Sequence, residues 1–183
     1  MPNRLAWRSS EAVMNETHLV YLNLGSNIQP EINLVRAVQL LCEYGEVEKI
    51  SNAWETRSVG EMGPNYLNAC ALFVSPFRLE ELKERVIRPV EEKLGRERSE
   101  NKNAPRTIDI DIVLVDDKPY NEKFAEFAFV VVPLAEIYPE YRNPLTGENI
   151  GETAARLRRR EAWMQTRPEV LSQLNRDSFK AQT

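Results

Sequence analysis

The segment Pro105-Arg106-Thr107-Ile108-Asp109-Ile110-Asp111-Ile112 carries the sharpest chemical pattern in the chain. Apolar residues alternate with acids, the period of a strand with one buried face. Ile108, Ile110, Ile112 and Leu114 are expected to face a core. Asp109 and Asp111 then share the other face, with Cα atoms about 7 Å apart. Two carboxylates that close repel each other unless a cation lies beside them. Magnesium takes few carboxylates and completes its shell with water and phosphate oxygens. The pair therefore suits one or two magnesium ions bridging to ATP. The plain alternative is a solvated strand face carrying two ordinary surface acids.

Arginines bracket this strand. Arg96 and Arg98 open the polar stretch 96–106, and Arg106 closes it. Guanidinium forks grip phosphate bidentately and offset its charge. Ion pairing with Glu97, Glu100 and the aspartates is the competing use. Without nucleotide and metal, the stretch is expected to be mobile and its arginines to stay apart. No GxxxxGK[ST] or GxGxxG segment is present, so any nucleotide is held by other means. Gly25-Ser26-Asn27 follows an apolar run and precedes a helix pattern, which reads as a tight turn, or as a turn close to a ligand. Tyr66 and Asn68 begin another apolar run after a loop, 57–65, containing two glycines and a proline. Asn68 is able to pair with the edge of a heterocycle, and Tyr66 to cover either a ligand or the core.

The elements that must position these groups follow from periodicity. Residues 18–24 read as a strand. Pro30 opens a helix with Leu34, Val35, Val38, Leu41 and Cys42 on one stripe, stopped near Gly45. Residues 47–56 and 66–74 read as further strands. Ser75-Pro76 opens a second helix with Leu79, Leu82, Val86 and Val90 inward and a kink at Pro89. A strand over 108–115 follows, then a short strand over 124–134. Residues 152–163 and 169–179 read as helices of a polar tail. The order β-α-β, β-α-β is that of an α+β, ferredoxin-like antiparallel sheet with the main helices on one face, here with extra C-terminal helices. The expected boundaries are a flexible leader over 1–17, a domain over 18–151 and a tail over 152–183.

Composition narrows the classes. The 183 residues are 42% hydrophobic and 28% charged, which suits one folded domain. The net charge of −4 disfavours a nucleic-acid partner. An RNA-binding module of this fold would also need exposed aromatics where the central strands carry acids. Cys42 and Cys70 lie apart in apolar runs and read as free core thiols, which points to a cytoplasmic location. No apolar run is long enough to cross a membrane. His18 is the sole histidine, which argues against a histidine-rich zinc site or a Ser-His-Asp triad.

Taken together, Leu24-Gly25-Ser26-Asn27, Glu55-Thr56, Tyr66-Leu67-Asn68-Ala69, Glu91 with Leu94-Gly95-Arg96, Pro105 to Ile112 and Pro133-Leu134-Ala135-Glu136-Ile137 resemble 6-hydroxymethyl-7,8-dihydropterin pyrophosphokinase. The pieces span about residues 19–150 in family order. The resemblance implies a ferredoxin-like fold and transfer of pyrophosphate from ATP to the hydroxymethyl group of a reduced pterin, leaving AMP, in folate biosynthesis. It implies that Asp109 and Asp111 hold two magnesium ions. Arg96 and Arg106 match phosphate-handling arginines, with Arg98 assisting. Thr56, Tyr66 and Asn68 match pterin-pocket positions, Phe129 the aromatic that stacks on the pterin, and Glu91 an acid near the nucleotide. A monomer is expected, with no nucleic-acid or membrane partner.

The sequence also departs from the family pattern. Asn103 stands where a tryptophan is usual. Residues 116–128 are shorter than usual and lack a histidine, and Phe127 occupies the place of an arginine. A non-catalytic or repurposed relative that binds nucleotide or pterin is therefore the competing reading. Arg158-Arg159-Arg160 offers a replacement phosphate contact, against a solvated helix face as the plain alternative.

Overall fold

Strand β1 (His18–Ser26) is the axis of the protein. Its residues alternate between two cores, with Val20, Leu22 and Leu24 in one and Tyr21 in the other. A strand buried on both faces belongs at the centre of a sheet, and β1 has antiparallel neighbours on both sides. These are β4 (Tyr66–Ser75) and β5 (Asp109–Val115). The computed structural model describes residues 16–58, 63–97, 104–161, 163–172 and 174. Of the expected leader, 1–15 lie outside the described residues, as do 173 and 175–179 of the second tail helix.

The sheet runs β6 (Lys118–Pro119), β5, β1, β4, β3 (Ala53–Thr56) and β7 (Met164–Arg167), and β2 (Glu46–Ile50) also pairs with β4. Its main strands interleave as two split βαβ units, compatible with the ferredoxin-like plan. Helix α1 (Pro30–Leu41) and the second helical stretch cover one face, contributing Leu34, Val38, Leu82, Val86 and Val90 to its core. That stretch is α2 (Leu79–Leu82), a π turn (Lys83–Ile87) and α3 (Arg88–Lys93). The expected disturbance at Pro89 is thus a widened turn. A proline cannot donate its own hydrogen bond and crowds the carbonyl four residues back, and the π turn relieves both problems.

Several expectations need correction. The run 124–134 is no strand. It forms a 3-10 turn (Glu122–Glu126) and helix α4 (Ala128–Ile137), with Pro133 inside the helix. Its β-branched valines suit a strand locally. Seven of the ten residues of α4 are buried, packed against the second face of the sheet, and that packing overrides local preference. The strand expected over 47–56 is split between β2 and β3. Ser51 bridges the break by accepting the Cys70 N–H on its hydroxyl, 2.9 Å. Leu114 does not join the isoleucines. The register slips between Tyr21 and Leu22, so Ile112 and Leu114 face opposite cores. Gly25 and Ser26 are strand residues rather than a turn. Ser75 does not cap the second helix, which begins at Leu79. The tail supplies α5 (Ile150–Arg160), whose Asn149 and Glu152 form a capping box, and then β7 and the short α6 (Pro168–Leu171). The strand β7 had no counterpart in the sequence reading.

Gly45 marks a close approach. A Cβ there would lie 2.5 Å from the Phe73 ring and 2.6 Å from the Val74 carbonyl oxygen. Glycine lets the chain turn tightly from α1 into β2.

Candidate active site

The alternation that buries the isoleucines of β5 turns Asp109 and Asp111 to the second face of the sheet. Strand register builds two rows there. One runs Asp109, Gly25, Asn68, Trp54 across β5, β1, β4 and β3. The next runs Asp111, Asn23, Cys70. Helix α4 covers much of this face, and beside β5 a cleft of about 570 Å³ stays open. Its floor is Asp109, Asp111 and Asn23. Lys83, Arg88 and Glu91 form the helical wall, and Tyr120, Lys123 and Phe129 the facing one.

Asp109 is already paired. Arg96 Nη2 donates to its Oδ1 at 3.1 Å, and Arg106 Nη1 donates to its Oδ2. The expectation that these arginines converge only with ligand is therefore corrected, because the half-buried carboxylate is charge enough to gather both. Arg106 is anchored twice more. Its N–H donates to Asn27 Oδ1 at 2.7 Å, and its carbonyl accepts from the N–H groups of Asn27 and Ile28. Glu91 is buried and accepts the Ile110 N–H at 3.1 Å, which ties α3 to β5.

Asp111 differs from Asp109. Its pKa is pushed up from 3.8 to about 6, by desolvation first and then by repulsion from Asp109 and Glu91. Its side chain nevertheless reaches solvent. Crowding by two other carboxylates is therefore the cause that carries the direction, with desolvation at the cleft floor adding to it. Asn23, its cross-strand neighbour, is 3% exposed, and its side-chain oxygen is buried without a hydrogen-bond partner among the described residues. Among the described residues no group of three or more His, Cys, Asp or Glu side chains forms a metal cage. Magnesium does not need one, since it takes one or two carboxylates with water and phosphate oxygens. Two crowded carboxylates beside an unsatisfied amide oxygen fit that demand.

On the other side of Gly25 lies a second polar group. Asn68 is buried, and its amide donates to Thr56 Oγ1 at 3.2 Å. Tyr66 pairs with Thr56 across the strands. A Cβ on Gly25 would come within 3.1 Å of Asn68 Oδ1. Glycine thus leaves a gap in the row between the acid and the amide.

A model of the 7,8-dihydro-6-hydroxymethylpterin-pyrophosphokinase (HPPK) family matches residues 21–139. The chain belongs to the HPPK family. It is 32% identical to the 2-amino-4-hydroxy-6-hydroxymethyldihydropteridine pyrophosphokinase of Synechocystis over 146 residues, 74% of each protein. It is 36% identical to the enzyme of the same name from Aquifex aeolicus, over 69% of this chain and 87% of that one. Among solved structures, the Plasmodium falciparum HPPK-DHPS triple mutant with pteroate aligns at TM-score 0.62 and 13% identity. The wild type with pteroate aligns at 0.61 and 12%. At that identity these two speak for the fold alone. The chain spans 45% of each of those longer chains.

Set against the HPPK pattern, the fold brings Arg96, Arg106, Asp109, Asp111, Glu91 and Phe129 to one cleft or its rim. Thr56, Tyr66 and Asn68 gather beyond Gly25, apart from that cleft's lining. Arg98 and Asn103 lie outside the described residues. Phe127, at the HPPK arginine position, is 43% exposed and leans on Phe129 with ring centres 5.4 Å apart. Arg158 stacks over Trp54, 5.0 Å from its ring, and is not among the lining residues of the cleft. The sequence reading missed Asn23, Lys83, Arg88, Tyr120 and Lys123. Arg88 was within reach, because it lies three residues before Glu91 and shares its helix face. Asn23 interrupts an otherwise apolar strand pattern, a signal in its own right.

Proposed function

We propose that this chain transfers pyrophosphate from ATP to the hydroxymethyl group of 6-hydroxymethyl-7,8-dihydropterin, releasing AMP, as a magnesium-dependent step of folate synthesis. One observation carries the reading. An acid pair, one member of which gathers two arginines, faces an amide–hydroxyl pair across a gap left by glycine.

In this reading Asn68 and Thr56 hydrogen-bond the heterocycle edge, Tyr66 borders it, and Phe129 stacks on its face. The pterin lies over Gly25, which points its hydroxymethyl group at Asp109 and Asp111. Asp109, Asp111 and the Asn23 oxygen are the groups that would hold two magnesium ions. Once bound, magnesium offsets phosphate charge and lowers the pKa of the attacking alcohol. Arg96 and Arg106 transfer from Asp109 to the phosphates, where they offset charge growing on the leaving oxygen. Arg98 assists from the same stretch. Glu91 holds the helical wall against β5 near the nucleotide. Lys83, Arg88 and Lys123 add positive charge where residues 116–128 lack the family's histidine and arginine.

ATP and a reduced pterin are thus the partners, and the chain acts as a monomer without nucleic acid. Among the described residues no helix is long and apolar enough to cross a membrane. Cys42 and Cys70 are not joined in a disulfide, which suits the cytoplasm. The test is to incubate the protein with ATP, magnesium and 6-hydroxymethyl-7,8-dihydropterin and to measure AMP. Pterin-dependent AMP formation is expected. Binding of both ligands without AMP would leave a non-catalytic relative.

A further inference from the structure

The strand β7 and its Arg167 lie beyond the stretch matched by the family model, and neither has a part in the site described so far. β7 pairs with the outer edge of β3, Thr56 opposite Met164 and Ala53 opposite Arg167. Without it, a strand of four residues would be bonded on one side only. Met164 packs against the second core beside Thr56.

Arg167 connects three elements through one guanidinium. Its Nη1 donates to Glu55 at 2.7 Å, its Nε to Glu169 at 2.5 Å, and its Nη2 reaches Glu31 of α1 at 3.5 Å. Glu55 is also the acceptor for Asn65 Nδ2, at 2.9 Å. The hydrogen bond from Asn65 and the pair with Arg167 hold the Glu55 carboxylate below its usual range against some desolvation. The chain Arg167–Glu55–Asn65 therefore clamps both sides of the β3–β4 connection. Glu55 adjoins Thr56, and Asn65 adjoins Tyr66. Thr56 and Tyr66 are cross-strand partners, and Thr56 accepts the Asn68 amide.

We infer that the C-terminal strand is a working part of the pterin half-site, with Arg167 the positioning residue that sets Thr56, Tyr66 and Asn68 through Glu55 and Asn65. The inference rests on the reading of those three residues as the pterin pocket. It ties a buried hydroxyl–amide pair near the end of two strands, where pairing ordinarily frays, to a third strand. Arg167 does not touch substrate, and its effect falls on one ligand only, because the acid cleft lies on the far side of Gly25.

The experiment measures pterin affinity by fluorescence, with magnesium and a non-hydrolysable ATP analogue present, and analogue affinity by calorimetry. The proteins are wild type, Arg167→Gln, Arg167→Lys and Asn68→Ala. Arg167→Gln is expected to raise the pterin Kd about tenfold, the scale of a lost charge-assisted hydrogen bond, with the analogue Kd within about twofold of wild type. Arg167→Lys keeps the charge but loses the fork, and is expected to recover part of the affinity. Should Arg167→Gln fail to fold, Arg167→Lys carries the same comparison with a smaller shift. An unchanged pterin Kd in the Arg167 variants, with a raised one in Asn68→Ala, overturns the inference and leaves the pocket reading intact. Equal loss of both ligands in the Arg167 variants reduces the residue to general stability and also overturns it. If Asn68→Ala binds pterin like wild type, the pocket reading itself fails.

Discussion

Asp111→Asn is expected to stabilise the ligand-free protein while abolishing turnover. The acid is crowded by Asp109 and Glu91, and its pKa stands near 6 against 3.8 for the ordinary group. The sign follows from linkage. A carboxyl whose folded pKa is raised contributes its full stability below the unfolded pKa and loses it as pH rises through the folded one. The wild type thus carries the penalty above about pH 6 and none below about pH 4. Taken at face value the shift corresponds to about 3 kcal/mol. The side chain reaches solvent, so screening reduces this to roughly 1 kcal/mol. A gain of that size raises Tm by roughly 2–4 °C in a chain of this length. The assay is thermal unfolding from pH 4 to 8 with a chelator present. The variant and wild type should coincide at pH 4, separate between pH 4 and 6, and stay separated at pH 8. Addition of magnesium and an ATP analogue should then raise the Tm of wild type and leave the variant nearly unmoved. Turnover of the variant should fall at least about a hundredfold, the several kcal/mol a catalytic metal contributes. A variant less stable than wild type at pH 8, or a difference that ignores pH, would refute the crowding argument.

Further outcomes are expected. Asn68→Ala should weaken pterin binding by about 1–3 kcal/mol and spare ATP, measured by calorimetry on each ligand. Gly25→Ala should fold, since Asn68 can yield a few tenths of an ångström, yet lose pterin affinity of the same order through the displaced amide, read by the same titrations. Arg106→Ala should lower kcat far more than it raises the Kd for ATP, because its ligand-free partner is Asp109 and its phosphate contact is made as the reaction proceeds, and steady-state kinetics beside equilibrium binding separates the two.

The sheet centre was legible because its strands carry a strict period. The alternation in β5 placed the isoleucines and both acids correctly, up to the register slip beside Val113 that sends Leu114 to the other core. Helix α1 followed from its stripe and Pro30. What escaped was decided by partners distant in sequence. The valines of α4 favour a strand until a sheet face offers itself to a buried helix. Met164–Arg167 is polar and short, and becomes a strand only because β3 presents a free edge. The candidate site's acids and arginines, with Tyr66 and Asn68, were legible as types, and Thr56 and Phe129 were proposed by resemblance. The meeting of Arg96 and Arg106 on one carboxylate was not, because nothing in their spacing says which acid they choose.

The π turn at Lys83–Ile87 acts as a phase shifter. It holds one residue more than an α turn, so everything after it is rotated by about 100° from where an unbroken helix would leave it. Upstream residues keep Leu82 on the core, and downstream ones are reset so that Val90 returns to the core while Glu91 meets the Ile110 N–H. Pro89 makes the offset hard to undo, because closing the turn would drive its ring into the Arg85 carbonyl. A chain lacking one residue between 83 and 87 would lose the offset, carry Glu91 away from the strand that bears Asp109 and Asp111, and untie the helical wall of the cleft from its floor.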